Sequence, residues 1–366
     1  MQFNILRSTL LSQVQRCHSI IEKKNTEAIL SNIFFGIKDH ILTLIGTDLQ
    51  ISVFTTTRLE QVDEEGSITV NASKLFEYLK KLNSDDLIKI TVKNNFMELK
   101  TKNSKFNLIT LPADGYPSFP DDETELAFDI DAAELSEMIA STSFSISTDE
   151  TRKYLTGTFF ETGEFGLRAV TTDGHRLSLS QTQSNLNLHV STSIVPKKTV
   201  LEMKKIADDS TGLIHLNIGK RQIRLSTDSI GLTSKVIDAN FPTYQDVIPL
   251  NHPEEIAISV AQLDQTLRRS MIIANEFTHD VSIQLSEDQL KVVARNNEHE
   301  ESVETIAIQY AGADFSIGFN AKYICDVLQV IQGDRVRIQF KDETNPVRLL
   351  EESHDNHQFI VMPMRI

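Results

Sequence analysis

The residues best suited to chemistry stand in VTTDGHRLSL, residues 170–179, where a strand-like apolar alternation is broken by Asp173, Gly174, His175 and Arg176. Asp173 and His175 are two apart, so on an extended chain both point to one face, and a carboxylate there could orient an imidazole as a general base. That chemistry would be a metal-independent phosphoesterase built on Asp173 and His175. No nucleophile accompanies the pair: the chain lacks a GxSxG elbow, a Walker loop, an HExxH helix and a GxGxxG turn. His354 and His357 form an isolated pair in a polar stretch, better suited to water than to a metal. Cys17 and Cys325, two cysteines in 366 residues, have no Cys or His at metal-ligand spacing and cannot make a disulfide framework. They read as small buried hydrophobes, and no cofactor is expected.

The elements that must position this turn are built from an internal repeat. ILTLIGTDLQISVF (41–54), FGLRAVTTDGHRLSL (165–179) and LKVVARNNEHEESVE (290–304) share one apolar rhythm. Downstream of each, SITVNASKLFEYLKKL (67–82), SIVPKKTVLEMKKI (193–206) and FSIGFNAKYICDVLQVI (315–331) run from strand into helix; Asn71, Pro196 and Asn320 recur at 125 and 124 residues. Each unit opens on a strand followed by an amphipathic helix, in FNILRSTLLSQVQRC (3–17), FDIDAAELSEMIAST (128–142) and IAISVAQLDQTLRRSM (256–271). KFNLITLPADGYP (105–117), IGLTSKVIDANFP (230–242) and NHQFIVMPM (356–364) close the series. Three tandem copies of one domain, each with two helices and antiparallel strands, make an α+β chain. The polar, proline-containing stretches PSFPDDETE and PLNHPEE set the boundaries, giving domains 1–122, 123–251 and 252–366.

Composition narrows the partners. The apolar content of 40% suits a globular chain, and no stretch approaches the ~20 apolar residues of a membrane span. MQFNILRSTL is not a basic region ahead of an apolar signal core, so the chain reads as cytosolic. The net charge of −15 argues against nucleic acid until its distribution is followed. ASKLFEYLKKL carries Lys74, Lys80 and Lys81 against Glu77, and PKKTVLEMKKI carries Lys197, Lys198, Lys204 and Lys205 against Glu202. Arg7, Arg16, Lys23, Lys24, Arg268 and Arg269 add to the helical positive charge, while AAELSEMIAST, with Glu134 and Glu137, runs the other way. Helices gathered on one surface would make it locally positive inside an acidic protein; solvated helix faces would leave the same pattern.

With threefold repetition, basic helices and TDGHRL in one chain, the sequence resembles the bacterial sliding clamps, the beta subunits of DNA polymerase III holoenzyme. The likeness spans the whole chain and rests on TLIGTDLQISV (43–53), TLPADGYPSF (110–119), RKYLTG (152–157), VTTDGHRLSL, SKVIDANFPTY (234–244), GFNAKYICDVL (318–328) and the terminal VMPMRI (361–366). The resemblance implies a DNA-clamp fold, assembled as a head-to-tail dimeric ring with helices lining the lumen, around duplex DNA held topologically and without sequence preference. Twelve helices at ~10 Å each leave a lumen of roughly 30 Å, wider than B-form DNA. The phosphate-facing residues it implies are Lys24, Lys74, Lys80, Lys81, Tyr154, Lys197 and Lys198. Ring closure would pack Phe106 and Leu108 against Ile272 and Ile273 of the other subunit, with Lys105 pairing Glu300 or Glu304. Without the resemblance, Phe106 and Leu108 read equally as strand residues of a domain core.

The same resemblance turns TDGHRL into one wall of a hydrophobic cleft between the middle and last domains. That cleft receives short linear peptides from the DNA polymerase III catalytic subunit, the clamp loader, other polymerases and repair proteins. Its residues here would be Leu155, Thr172, Gly174, His175, Arg176, Leu177, Pro242, Val247, Ile360, Met362, Pro363, Met364 and Arg365. Methionines repack around varied ligands, and His175 and Arg176 would offer donors to the peptide. Some positions depart from the family pattern: no proline precedes Ile29–Leu30, Asp246 stands where arginine is common, Lys153 replaces an aromatic residue, Asp149 a neutral one, and Ile366 ends the chain. Asp246 implies a preference for a basic residue at the facing peptide position.

Overall fold

The computed structural model describes residues 1–22, 27–120, 122–183, 186–249, 253–353 and 355–366. Each repeat runs strand, helix, four strands, helix, three strands. The first contains β1 (Gln2–Leu6), α1 (Arg7–Ile20), β2 (Asn32–Lys38), β3 (Ile41–Thr47), β4 (Ile51–Arg58), an additional short β5 (Val62–Glu64), β6 (Gly66–Asn71), α2 (Ala72–Lys81), β7 (Leu87–Lys93), β8 (Phe96–Lys100) and β9 (Lys105–Leu111). The second contains β10 (Thr124–Asp131), α3 (Ala132–Thr142), β11 (Gly157–Gly163), β12 (Gly166–Thr172), β13 (Arg176–Gln181), β14 (Ser191–Pro196), α4 (Lys197–Asp208), β15 (Leu213–Gly219), β16 (Gln222–Ser226) and β17 (Ile230–Lys235). The third contains β18 (Glu254–Ser259), α5 (Val260–Ser270), β19 (Asp280–Ser286), β20 (Gln289–Arg295), β21 (Glu301–Ala307), β22 (Phe315–Asn320), α6 (Ala321–Leu328), β23 (Arg335–Phe340), β24 (Val347–Glu351) and β25 (His357–Val361).

Two compact units emerge, residues 1–132 with 209–236, and 133–208 with 237–366. In the first, all strands join one antiparallel sheet, in the order β10-β15-β16-β17-β4-β3-β2-β6-β9-β8-β7-β1-β5. Its two repeats meet where β17 lies along β4, from Ile230 opposite Thr55 to Ser234 opposite Ile51. Leu10, Val14 and Cys17 of α1 and Leu75 and Leu79 of α2 recur at helical spacing and are buried against Phe3, Phe35, Leu44, Ile90 and Leu99 of the strands. Asn71 caps α2, its side chain accepting from the Lys74 amide at 3.0 Å. At the other end of α2, Arg7 Nε donates to the Leu79 carbonyl at 2.7 Å, which also accepts from the Leu82 amide at 3.3 Å.

The second unit holds an eight-stranded sheet, β14-β11-β12-β13-β25-β24-β23-β18, and a four-stranded one, β21-β20-β19-β22. Here the repeats meet where β25 lies along β13, from Arg176 opposite Val361 to Ser180 opposite His357. Leu263 and Leu267 of α5 and Ile324 and Leu328 of α6 close the third repeat's core against Val292, Phe319, Leu349 and Phe359. Ser259 and Asn320 cap α5 and α6, accepting from Gln262 and Lys322 amides. The α+β class and the three tandem copies inferred from the apolar rhythm are the observed architecture. No helix among the described residues is long and apolar enough to cross a membrane.

Candidate functional site

The turn from Thr172 to Arg176 is tied by side chains that mimic backbone. Thr172 Oγ1 donates to the Arg176 carbonyl at 2.6 Å and accepts from the Gly174 amide at 3.1 Å. Asp173 Oδ1 accepts from the His175 and Arg176 amides at 2.9 and 3.0 Å. Gly174 has φ +92°, a left-handed conformation that costs glycine nothing. This geometry corrects the general-base reading. One carboxylate oxygen of Asp173 holds the turn and the other accepts from Arg176 Nε at 3.0 Å, while the exposed His175 ring stacks toward Tyr323 at 6.3 Å. The turn is a fixed wall, and nothing in it activates a nucleophile.

Beside that wall lies a cavity of about 210 Å³. The 3₁₀ turn Lys153–Leu155 supplies Tyr154 and Leu155; the Thr-Asp turn supplies Thr172, Gly174, Arg176 and Leu177. The segment after β17 supplies Pro242, Thr243, Tyr244 and Val247, and β25 with the residue beyond it supplies Ile360 and Met362. Leu177 and Ile360 sit directly opposite each other across β13 and β25, so their side chains share one face and make the floor. Phe159 stacks on Phe241 at 4.6 Å behind it. Tyr244 donates to Glu161 Oε2 at 2.6 Å and accepts from Arg168 Nη1 at 2.9 Å, which turns its ring into the apolar cluster. Burial, then the bond to Glu161, pushes the Tyr244 hydroxyl up to about 12. The neutral phenol is therefore favoured by folding, and its contribution is complete below the ordinary tyrosine value of ~10 and is lost as pH rises from there through about 12.

Of the residues expected in the cleft, His175, Pro363, Met364 and Arg365 are not among those lining this cavity. The terminal segment turns away: Met362 N donates to the His175 carbonyl at 2.9 Å, and Met364 N to the Gly318 carbonyl at 2.9 Å. Gly318 permits this approach, since a Cβ there would stand 2.4 Å from the Met364 carbonyl oxygen. Met364 and Arg365 line a separate polar hollow of about 570 Å³ with Arg295 and Glu343. Arg176 lines the cleft, but not as the free donor expected. Its Nη1 donates to Asp326 Oδ2 at 2.7 Å and its Nη2 to the Phe144 carbonyl at 2.8 Å, and the side chain is 11% exposed. Thr243 and Tyr244 were not foreseen, although the aromatic residue two positions after Pro242 was the available signal. Tyr154, assigned to DNA by resemblance, lies in the cleft lining.

The residues implied for ring closure divide. Leu108 is 5% exposed in its own repeat's core, and Phe106 stacks on Tyr78 at 4.1 Å, so both face inward on β9. Ile273 packs on the third repeat's core, whereas Ile272 is 80% exposed. Lys105 reaches Glu98 at 2.6 Å, Glu304 pairs with Arg269 at 2.6 Å, and Glu300 accepts from Asn296 at 2.6 Å. Among the described residues, β9 and β21 are each unpaired along one side for most or all of their length. β9 pairs with β8 along its length but with β6 only at Thr110 and Leu111, and β21 is the last strand of its sheet.

Lys74, Lys80 and Lys81 are exposed on α2, Lys80 lying 3.4 Å from Glu77; Lys198 is exposed and Lys197 half-buried in the first turn of α4. Lys24, with Lys23, lies outside the described residues, as does His354. Several cations counted toward a basic face have other work: Arg7 caps α2, Arg16 pairs with Asp209 at 3.2 Å, and Lys204 and Lys205 pair with Asp208 and Glu202 at 2.7 and 2.6 Å.

Fold and site together define a three-repeat clamp protein, built by strand-to-strand joining of like repeats. Sequence profiles of the DNA polymerase III beta subunit match along its length: the N-terminal domain at residues 1–120, the central domain at 129–243 and the C-terminal domain at 245–365. The beta sliding clamps of Pseudomonas putida and Escherichia coli K12 are 34% and 33% identical to it, with each chain covered fully. The crystal structure of the Pseudomonas aeruginosa sliding clamp bound to griselimycin superposes with a TM-score of 0.98 at 34% identity, covering all of both chains. The Caulobacter crescentus clamp superposes at 0.92 with 30% identity, again over all of both chains. The chain belongs to the DNA polymerase III beta subunit family, the sliding clamps.

Proposed function

We propose that the chain acts as a sliding clamp, a non-catalytic processivity factor that encircles duplex DNA and tethers a replicative polymerase. The carrying observation is a junction used twice and left open once. β17 lies along β4 and β25 along β13, and the strands equivalent to these, β9 and β21, lack that partner. A second copy supplies the missing partner at each, and a heterologous contact of this kind generates a ring when the rotation closes. The two observed registers place Asn107 opposite Glu301 and Phe106 opposite Ser302 of the other copy. In that register Glu301, rather than Glu300 or Glu304, shares a face with Lys105. The domains are 1–122, 123–251 and 252–366, and the protein works in the cytoplasm.

DNA is held by topology and by sequence-independent contacts. Lys80 and Lys81 lie in the last turn of α2, where the helix dipole favours them; Lys197 and Lys198 open α4, where it does not. The unfavourable pair is the better marker of a phosphate contact, joined by Lys74 and Lys24. Peptides from the polymerase III catalytic subunit, the clamp loader, other polymerases and repair proteins dock in the cleft. Micromolar affinity, roughly −8 kcal/mol, lets them exchange. Asp246, exposed on the 3₁₀ turn Gln245–Val247, selects a basic residue at the adjoining peptide position.

Ring closure is tested by solution mass and by cross-linking. A species of about 83 kDa, twice the 41.3 kDa chain, is expected. The Asn107→Cys, Glu301→Cys variant should form an intersubunit disulfide, since facing strand residues lie within disulfide reach. Oxidised rings should stay on nicked circular DNA and leave it once it is linearised. A strict monomer at micromolar concentration would overturn the proposal.

A further inference from the structure

We infer that Asp326 is a positioning residue of the docking cleft: through Arg176 it holds the Thr-Asp turn where a bound peptide needs it, although Asp326 lies outside the cleft lining. The inference rests on the cleft being the peptide site. Arg176 stands on the turn between two rings, its guanidinium carbon 4.6 Å from the centroid of Tyr323 and 5.3 Å from that of Phe144. Rings flanking a planar cation leave it free mainly to swing in its own plane. Three N–H groups remove that freedom: Nε to Asp173 at 3.0 Å, Nη2 to the Phe144 carbonyl at 2.8 Å and Nη1 to Asp326 at 2.7 Å. The first two partners belong to the second repeat. Asp326 alone reaches in from the third, on α6, where Tyr323 and Asp326 are three apart and so share a helix face.

The first repeat shows that the turn itself does not require this arrangement. There Ile51 occupies the place of Arg176, buried at 1% exposure, and the Thr47-Asp48 turn keeps the same side-chain bonds. The arginine and its acid are therefore additions made only where the turn borders a cavity. Asp173 already serves two backbone amides, so Asp326 is the carboxylate devoted to the cation. Gly174 and Arg176 line the cleft on this turn, and Met362 is tied to it through the His175 carbonyl at 2.9 Å. Without Asp326 the guanidinium loses a charge-assisted bond and can turn toward water, and the peptide must then order the wall as it binds.

The test uses fluorescence anisotropy of a labelled peptide from the polymerase III catalytic subunit that binds the wild-type chain, on full-length variants that retain its cooperative unfolding and near-ultraviolet circular dichroism. Asp326→Asn should weaken binding about tenfold, and Asp326→Glu, which keeps the carboxylate, should return it to within about threefold of wild type. Arg176→Gln should weaken it as much or more, and adding Asp326→Asn to Arg176→Gln should cost nothing further. Asp326→Asn binding within twofold of wild type, a glutamate variant as weak as the asparagine one, or losses that multiply in the double variant would each overturn the inference. Val247→Arg separates the two readings. Binding that survives it overturns cleft and Asp326 together, whereas loss there and none with Asp326→Asn overturns Asp326 alone.

Discussion

The turns 47–51 and 172–176 are the same device with different outcomes. Thr47 Oγ1 donates to the Ile51 carbonyl at 2.9 Å and Thr172 Oγ1 to that of Arg176 at 2.6 Å; Asp48 and Asp173 each accept from the amides two and three residues on. Leu49 and Gly174 hold equivalent left-handed positions, at φ 71° and 92°. The strand that follows each turn is paired with the last strand of the next repeat. What differs is the face. At the first junction Ser52 stands opposite Thr233, and at the second Leu177 stands opposite Ile360. Backbone geometry supplies a junction at both; an apolar cross-strand pair, a glycine and an anchored arginine make one of them the wall of a cavity.

The strongest way to break this comparison is to give the second junction the first one's face. Leu177→Ser with Ile360→Thr keeps the register and removes the apolar floor. Both residues are nearly fully buried, so each change should cost about 3 kcal/mol of stability, read from urea unfolding. Peptide binding should fall at least a hundredfold by anisotropy. The exchange at the first junction, Ser52→Leu with Thr233→Ile, should gain no binding, because Leu49 and Ile51 leave neither the low wall nor the anchored cation. A first junction that began to bind peptide would show that the apolar pair alone makes a site.

Much of this was legible in the sequence because it follows from short-range rules. The repeats show as apolar alternation and helix spacing, and the turn as Thr-Asp ahead of a strand. What stayed hidden depends on partners distant along the chain. Arg176 looks like a free donor in TDGHRL, and only the packing of α6 brings it Asp326, 150 residues away. Tyr244 is held by Glu161 and Arg168 from β11 and β12, whose charges suggested nothing in isolation. In KFNL the alternation fits a strand facing either its own core or a second subunit; the structure turns Phe106 and Leu108 inward. The tail reads as one motif, VMPMRI, but it divides at Met362 because glycine at position 318 lets the backbone of Met364 lie against β22.

A smaller effect is expected from Gly174→Leu, which copies the first turn into the second. The backbone at φ 92° needs to close only to the 71° that Leu49 adopts, so the turn should form, at a cost of about 1–2 kcal/mol for a left-handed side-chain residue. A Cβ there would stand 3.0 Å from Arg152 Nη1, the end of a flexible chain that can yield. The leucine side chain would raise the wall beside Leu177, and peptide affinity should drop about tenfold with the unfolding midpoint only modestly lowered. Unchanged affinity would mean that the height of the wall at Gly174 does not control entry.

The reciprocal change, Leu49→Gly, should have the smallest effect and the opposite sign. Leu49 is held at φ 71°, and the strain of a left-handed leucine is about 1–2 kcal/mol. Glycine relieves it but brings its own entropy cost of roughly 0.5–1 kcal/mol in the unfolded chain. The side chain is 42% exposed, so little apolar burial is lost. The balance favours the variant by about 0.5 kcal/mol, visible as a higher urea midpoint at unchanged slope. A loss of stability would show that the Leu49 side chain braces the first junction, as Arg176 and Asp326 brace the second, so that both turns are anchored through side chains and the two differ only in whether the anchor is apolar or ionic.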